Sequence, residues 1–145
     1  MTDVLGLDHV YVTVADLTRS EAFYDRVFAA LDFRKNEFPI DGERHVQYFN
    51  RHFGIVIRPA RVVAAHDPYA PGLHHLCLRV ESADDVRRVA DDLRAAGIDA
   101  SEPRVFPEYA LDYVATFFRD PDGLRLEVTN YRSERRRRHD HWPSD

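Results

Sequence analysis

One cysteine, one methionine and one tryptophan occur in 145 residues, and the shortage of cysteine already excludes a class of architecture. Cys77 has no second thiol to pair with, so an internal disulfide framework is impossible and a packed core must hold the fold. No apolar run approaches the roughly 18 residues of a membrane span, and no stretch has the composition of a signal peptide. The expectation is a soluble, cytoplasmic protein. Excess basic charge is also lacking. The net charge is −5, and the segment Arg132 to Asp145 holds five arginines against three acids, so the remainder carries −7. An acidic body argues against a nucleic-acid surface, and Arg135 to Arg138 read as part of a flexible tail.

What is present is an apolar share of 44 %, enough to bury one compact domain over residues 1–131, with 132–145 as the Arg-rich tail. Within that domain the chain repeats itself. Leu7-Asp8-His9-Val10-Tyr11-Val12-Thr13-Val14 is echoed by Leu73-His74-His75-Leu76-Cys77-Leu78-Arg79-Val80, an offset of 66 residues. Phe49-Asn50-Arg51-His52-Phe53-Gly54 is echoed by Phe118-Arg119-Asp120-Pro121-Asp122-Gly123 at an offset of 69. The two anchors together indicate a duplicated unit, one copy over about residues 5–60 and the other over about 72–131.

Each copy carries one amphipathic helix. In the first, Thr18-Arg19-Ser20-Glu21 has capping-box spacing, and Phe23, Val27, Ala30 and Leu31 recur at helical intervals. In the second, Ser82 caps with Asp85 at its third position, Val86, Val89, Ala90 and Leu93 form the stripe, and Gly97 ends it. A short strand, a turn and a hairpin of two strands follow each helix: Arg44 to Phe49 with Gly54 to Arg58, and Tyr113 to Phe118 with Leu124 to Asn130. Asp120-Pro121-Asp122-Gly123 has the residues of a tight turn. The unit is strand, helix, three strands.

Strand alternation then assigns faces. His9, Tyr11 and Thr13 share one side, as do His75, Cys77 and Arg79, and as do Arg125, Glu127 and Thr129. A cup lined by these faces gathers His9, His75 and Glu127, two imidazoles and a carboxylate, which is a donor set for a divalent ion with open positions. Either histidine alone reads more simply as an ordinary strand residue, but their matching positions and a carboxylate in an aliphatic strand favour the metal. His74 points to the opposite face and reads as structural. His45, His52 and His66 fall in or beside expected loops. Cys77 reads as a small buried hydrophobe. Tyr11 and Tyr113 are candidate hydrogen-bond donors to a bound oxygen, with Tyr113 a candidate for proton transfer. Arg79 and Arg125 either pair with acids or hold a substrate anion. Pro103 to Tyr109 forms a loop, with Glu108 available at the mouth.

These pieces resemble the vicinal oxygen chelate superfamily, which includes glyoxalase I, extradiol dioxygenases, fosfomycin-resistance thiol transferases and bleomycin-binding proteins. The likeness lies in Leu7-Asp8-His9-Val10, Ala15-Asp16-Leu17, Ala22-Phe23-Tyr24, His75 to Val80, and Phe118-Arg119-Asp120-Pro121-Asp122-Gly123 running on to Leu126-Glu127-Val128. It implies an α+β fold of two tandem βαβββ modules, forming a cup-shaped mixed β-sheet barrel with helices outside. It also implies one divalent ion (zinc, nickel, manganese, cobalt or iron(II)) at His9, His75 and Glu127, a small substrate chelating through adjacent oxygens, and a homodimer. The offset of 69 sets Arg58 opposite Glu127, where glyoxalase I enzymes supply a second carboxylate. Arg58 is therefore expected to bind a substrate anion, and the chain departs from lactoylglutathione lyase proper. The leading expectation is a glyoxalase-like or dioxygenase-like enzyme. Its rival is a metal-free binding protein of the bleomycin-resistance kind.

Overall fold

The computed structural model describes residues 2–143; Met1, Ser144 and Asp145, counted above with the domain and the tail, lie outside the described residues. The chain divides into two units, one comprising residues 1–66 with 120–123 and the other 67–119 with 124–145. Both are α+β, and each contains the βαβββ succession that the repeat predicts.

In the first unit β1 (His9–Val14) leads to α1 (Leu17–Ala30), then β2 (Arg34–Ile40), β3 (Glu43–Phe49) and β4 (Gly54–Pro59). The sheet order is β1-β4-β3-β2, with β1 parallel to β4 and the other pairs antiparallel. The helix begins earlier than Thr18: Asp16 is the N-cap, its carboxylate accepting from Arg19 N at 2.9 Å. An aspartate competes well with a threonine for this place because its oxygen is charged as well as correctly positioned. Asp41 and Gly42, at φ 51° and 78°, make the two-residue turn between β2 and β3, where both residues must take positive φ. The core is aromatic. Phe28 lies 4.7 Å from Tyr48, 5.7 Å from Tyr24 and 4.8 Å from Phe33 between ring centroids. Val14, Val46, Ile55 and Ile57 close the packing. Each such side chain contributes about 1.5–3 kcal/mol on burial.

Four residues distant in sequence belong to this unit. The turn Asp120–Gly123 reaches α1: Tyr24 Oη donates to Asp120 Oδ2 at 2.9 Å, Asp122 Oδ2 accepts from Ala15 N at 2.9 Å, and Asp122 Oδ1 accepts from Arg19 at 2.8 Å. Burial and the Asp120 carboxylate hold the Tyr24 hydroxyl far above its ordinary pKa.

In the second unit β5 (His75–Val80) precedes α2 (Ala83–Ala95), β6 (Arg104–Val105), β7 (Val114–Arg119), β8 (Arg125–Asn130) and α3 (Ser133–Asp140). The order β5-β8-β7-β6 repeats that of the first sheet. Ser82 forms the predicted reciprocal cap with Asp85, and Val86, Val89, Ala90 and Leu93 are buried along the helix stripe. Where the composition predicts a flexible tail, residues 133–140 are helical. Arg136 anchors this helix by ion-pairing with Glu81 at 2.5 Å and stacking on Tyr131 at 4.2 Å. Among the described residues no helix is long and apolar enough to cross a membrane.

Tyr24→Phe removes one hydrogen bond to a charged acceptor and is expected to lower the unfolding free energy by about 1.5–3 kcal/mol in urea titrations. A loss under about 0.5 kcal/mol, the range of ordinary surface changes, would show that the turn does not depend on this hydroxyl.

Candidate functional site

Glu127 is 3 % exposed in a strand whose neighbours Leu126 and Val128 face α2. A buried carboxylate needs partners, and the second unit supplies them from β5 and from the loop before β7. Its Oε1 accepts from Tyr113 Oη at 2.5 Å, and its Oε2 lies 3.2 Å from His75 Nε2. The ladder explains the second contact. β5 runs parallel to β8 with His75 beside Arg125 and Cys77 beside Glu127, so His75, Cys77, Arg125 and Glu127 stand on one face. Two donors binding one ion at about 2.1 Å are themselves about 3.0–3.4 Å apart. The His75–Glu127 separation fits that requirement. Within neither unit do three or more His, Cys, Asp or Glu among the described residues form a complete ligand group.

His74 is closer to this chemistry than strand alternation predicts. Its Nδ1 is 2.8 Å from His75 Nδ1, so one of the two rings donates to the other. If His75 presents an Nε2 lone pair to a cation, its proton is on Nδ1 and His74 accepts it, which fixes the His75 ring orientation.

Tyr113 is the centre of an aromatic group. Tyr109 lies 5.3 Å and Phe106 6.4 Å from its ring, and Phe106 lies 5.4 Å from Phe117. The loop that carries them is closed on itself: Phe106 N donates to Tyr113 O at 2.8 Å and Tyr113 N to Ala110 O at 3.1 Å. Burial, then the hydrogen bond to Glu127, push the Tyr113 hydroxyl well above its ordinary pKa. Arg132, which the sequence assigns to the tail, lies with its guanidinium 4.6 Å over the Tyr113 ring. Nothing in strand periodicity points to it. Ser133 N donates to Asp112 Oδ2 at 2.8 Å and thereby fixes the neighbouring backbone.

The other candidates have mixed surroundings. Arg79 lies on the same strand face as His75 but stacks at 4.1 Å on Tyr131, which Arg136 also contacts. In the first unit, His9 Nδ1 is 2.6 Å from Asp8 Oδ2, and Tyr11 meets the rings of His9 and His45 edge-on at 5.4 and 5.9 Å. His45, expected near a loop, is instead on β3 and 1 % exposed; its Nδ1–H donates to Glu43 O at 2.9 Å and its ring stacks on Phe38. Arg58 is ion-paired with Glu43.

The ladders also correct the repeat. His9 pairs with Gly54 and Tyr11 with Val56, whereas His75 pairs with Arg125 and Cys77 with Glu127. Val56, not Arg58, is therefore the structural counterpart of Glu127. The hairpins differ in length: β3 and β4 close through the pair Phe49–Gly54, whereas β7 and β8 close through Arg119–Arg125, one residue longer. Aligning the two turns by their aromatic and glycine residues misses this shift.

Residues 6–128 match the family model described as Glyoxalase/Bleomycin resistance protein/Dioxygenase superfamily. The chain is 30 % identical over 138 residues to the uncharacterised protein YaeR of Escherichia coli K12, covering 86 % of this chain and 98 % of that one. It is 26 % identical over 129 residues to the virulence protein STM3117 of Salmonella typhimurium LT2, covering 86 % and 83 %. The crystal structure of a glyoxylase/bleomycin resistance protein/dioxygenase domain from Frankia sp. EAN1pec superposes with TM-score 0.73 at 26 % identity, covering 90 % of this chain and all of that one.

Cys77 as a whole residue is exposed, yet burial of its sulfur and the adjacent Glu127 carboxylate push the thiol up to about 12. Raising the pKa of a thiol withholds the nucleophilic thiolate at neutral pH. Alkylation by iodoacetamide near pH 8 is expected to be at least about a hundredfold slower than for an ordinary thiol of pKa about 8.5. The rate should still be climbing above about pH 10, and Glu127→Gln should raise it. A rate that levels off near pH 9 would contradict this arrangement.

Proposed function

Since this chain belongs to the Glyoxalase/Bleomycin resistance protein/Dioxygenase superfamily, we propose that it is a metal-dependent enzyme acting on a small molecule that presents two adjacent oxygens. The observation that carries the reading is the His75–Glu127 pair: two donor atoms at ligand spacing on a face that also carries Cys77, Phe117 and Arg125. His75 and Glu127 are proposed as ligands with His9 as the third donor, a two-imidazole, one-carboxylate set suited to zinc, nickel, manganese, cobalt or iron(II). A divalent ion held there supplies Lewis acidity toward the paired oxygens of the substrate.

The remaining roles belong to side chains. Tyr113 stays protonated at neutral pH and donates a hydrogen bond to Glu127 Oε1, leaving Oε2 as the outward donor. That same hydroxyl is the proposed proton carrier for a substrate oxygen. Phe106 and Tyr109 pack against the Tyr113 ring on the loop side. Arg132 places a permanent cation beside it and favours negative charge developing nearby. Tyr11 is the proposed substrate contact on the first unit's sheet, and Arg79 a further one on the second. Val56 at the position matching Glu127 is the reason we place the reaction outside the four-ligand lactoylglutathione lyase pattern. It belongs instead with thiol transfer, isomerase or lyase chemistry on hemithioacetals, or ring opening of catechols. Cytoplasmic residence and a homodimer are part of the same proposal.

Calorimetric titration of chelator-treated protein with zinc, nickel, manganese and iron(II) is expected to give stoichiometric binding. His75→Ala, Glu127→Ala and His9→Ala should each weaken it by more than about a hundredfold, and Tyr113→Phe by about tenfold, the scale for a group supporting a ligand. Protein that refuses all four ions would sink the reading and leave a metal-free small-molecule binder. Metal-loaded protein is then screened with α-keto hemithioacetals, catechols, and fosfomycin plus a thiol.

A further inference from the structure

Arg119 and Arg125 are direct cross-strand partners on β7 and β8. Like charges facing one another across a ladder destabilise a sheet unless something neutralises them. Among the described residues no carboxylate ion-pairs with either. Arg125 Nε is buried and has no hydrogen-bond partner, although a buried guanidinium donor left unsatisfied is costly. The two arginines border an open depression of about 460 Å³, lined also by Asp99, Ser101, Phe117 and Phe118. Tyr69 closes over Arg125, its ring 5.5 Å from the guanidinium carbon. Two guanidiniums and the Asp99 carboxylate leave the depression with one net positive charge, and Phe117 and Phe118 give it apolar surface.

We infer that this depression is a binding site for a carboxylate monoanion on a flat apolar or aromatic body, the carboxylate bridging Arg119 and Arg125. Guanidinium forks match carboxylate geometry, and one anion bridging the two offsets the facing charges. Phosphate dianion suits the depression less well, because Asp99 opposes a second negative charge. The site also has a direction. Arg125 and Glu127 are two residues apart on one face of β8, so their Cα atoms are roughly 6.6 Å apart. The inference thereby deepens the proposed function and, for that orientation alone, rests on it: the substrate is an acid whose carboxylate lies one such step from its paired oxygens.

The test is a calorimetric and amide-NMR titration of chelator-treated protein with benzoate, with benzyl alcohol as the uncharged control. Saturable benzoate binding is expected, with little from the alcohol and with the largest amide shifts near Arg119, Phe117 and Arg125. Arg119→Gln and Arg125→Gln should each weaken binding about tenfold or more, and Arg125→Lys should fail to restore it fully because the fork is lost. Arg119 is exposed, so Arg119→Gln remains informative if the Arg125 variants do not fold. No binding by the parent protein, equal binding of the alcohol, or unchanged affinity in a folded Arg119→Gln would overturn the inference. Benzoate binding by protein that takes up no metal would remove the proposed reaction and leave the acid site standing. Metal uptake without benzoate binding would do the reverse.

Discussion

The candidate site follows from one constraint, a carboxylate taken out of water. Glu127 stands in a strand of aliphatic residues and is almost wholly buried, and the desolvation of such an ion amounts to several kcal/mol unless charge or hydrogen bonds offset it. The second unit is arranged around that need. The parallel ladder brings His75 to one oxygen, and the loop ending at Tyr113 brings a hydroxyl to the other. Arg132 then lies over the ring that carries that hydroxyl. Removing any one of these leaves the carboxylate with fewer partners, so the loop and the last helix are bound to the chemistry of the strand.

The two units show how far one topology can be dressed differently. Strand order and helix placement are the same, yet the first unit fills its core with Tyr24, Phe28, Phe33 and Tyr48, and the second with Val86, Val89, Leu93 and Val128. On the opposite face the first unit has Val56 where the second has Glu127, and Gly54 where the second has Arg125. At Gly54 an added Cβ would lie 2.8 Å from Gln47 Nε2, the mobile end of a side chain that can move aside. The polar residues of this face are therefore concentrated on β8 of the second unit, whereas the first unit carries His9 and Tyr11 on β1.

Elements governed by local rules were legible in the sequence. The Ser82 cap, the apolar stripe behind it and the faces of β5 and β8 depend on spacing within a few residues. So does the likeness of the two copies, which leads to the correct family. What required coordinates depends on contacts that spacing does not encode. The ladder register sets the equivalent of Glu127 at Val56 rather than Arg58, a two-residue shift of which the one-residue difference in hairpin length supplies only half. His45 is buried because Phe38 covers it and the Glu43 backbone carbonyl accepts a hydrogen bond from its Nδ1–H, neither of which a polar stretch announces. Arg132 joins the site through a turn after the last strand, and composition alone places it in a tail. His74 meets His75 because two adjacent rings can rotate toward each other although their strand positions alternate.

The turn Asp120–Gly123 has a consequence for the ancestry and dissection of the chain. Its flanking strands β7 and β8 build the second unit, while its own carboxylates anchor α1 of the first through Ala15 N, Arg19 and Tyr24. A gene cut near residue 66 would therefore yield an amino-terminal fragment deprived of the acids that satisfy Tyr24, Ala15 and Arg19. Two separately encoded halves would require the amino-terminal copy to carry acids of its own in place of those four residues.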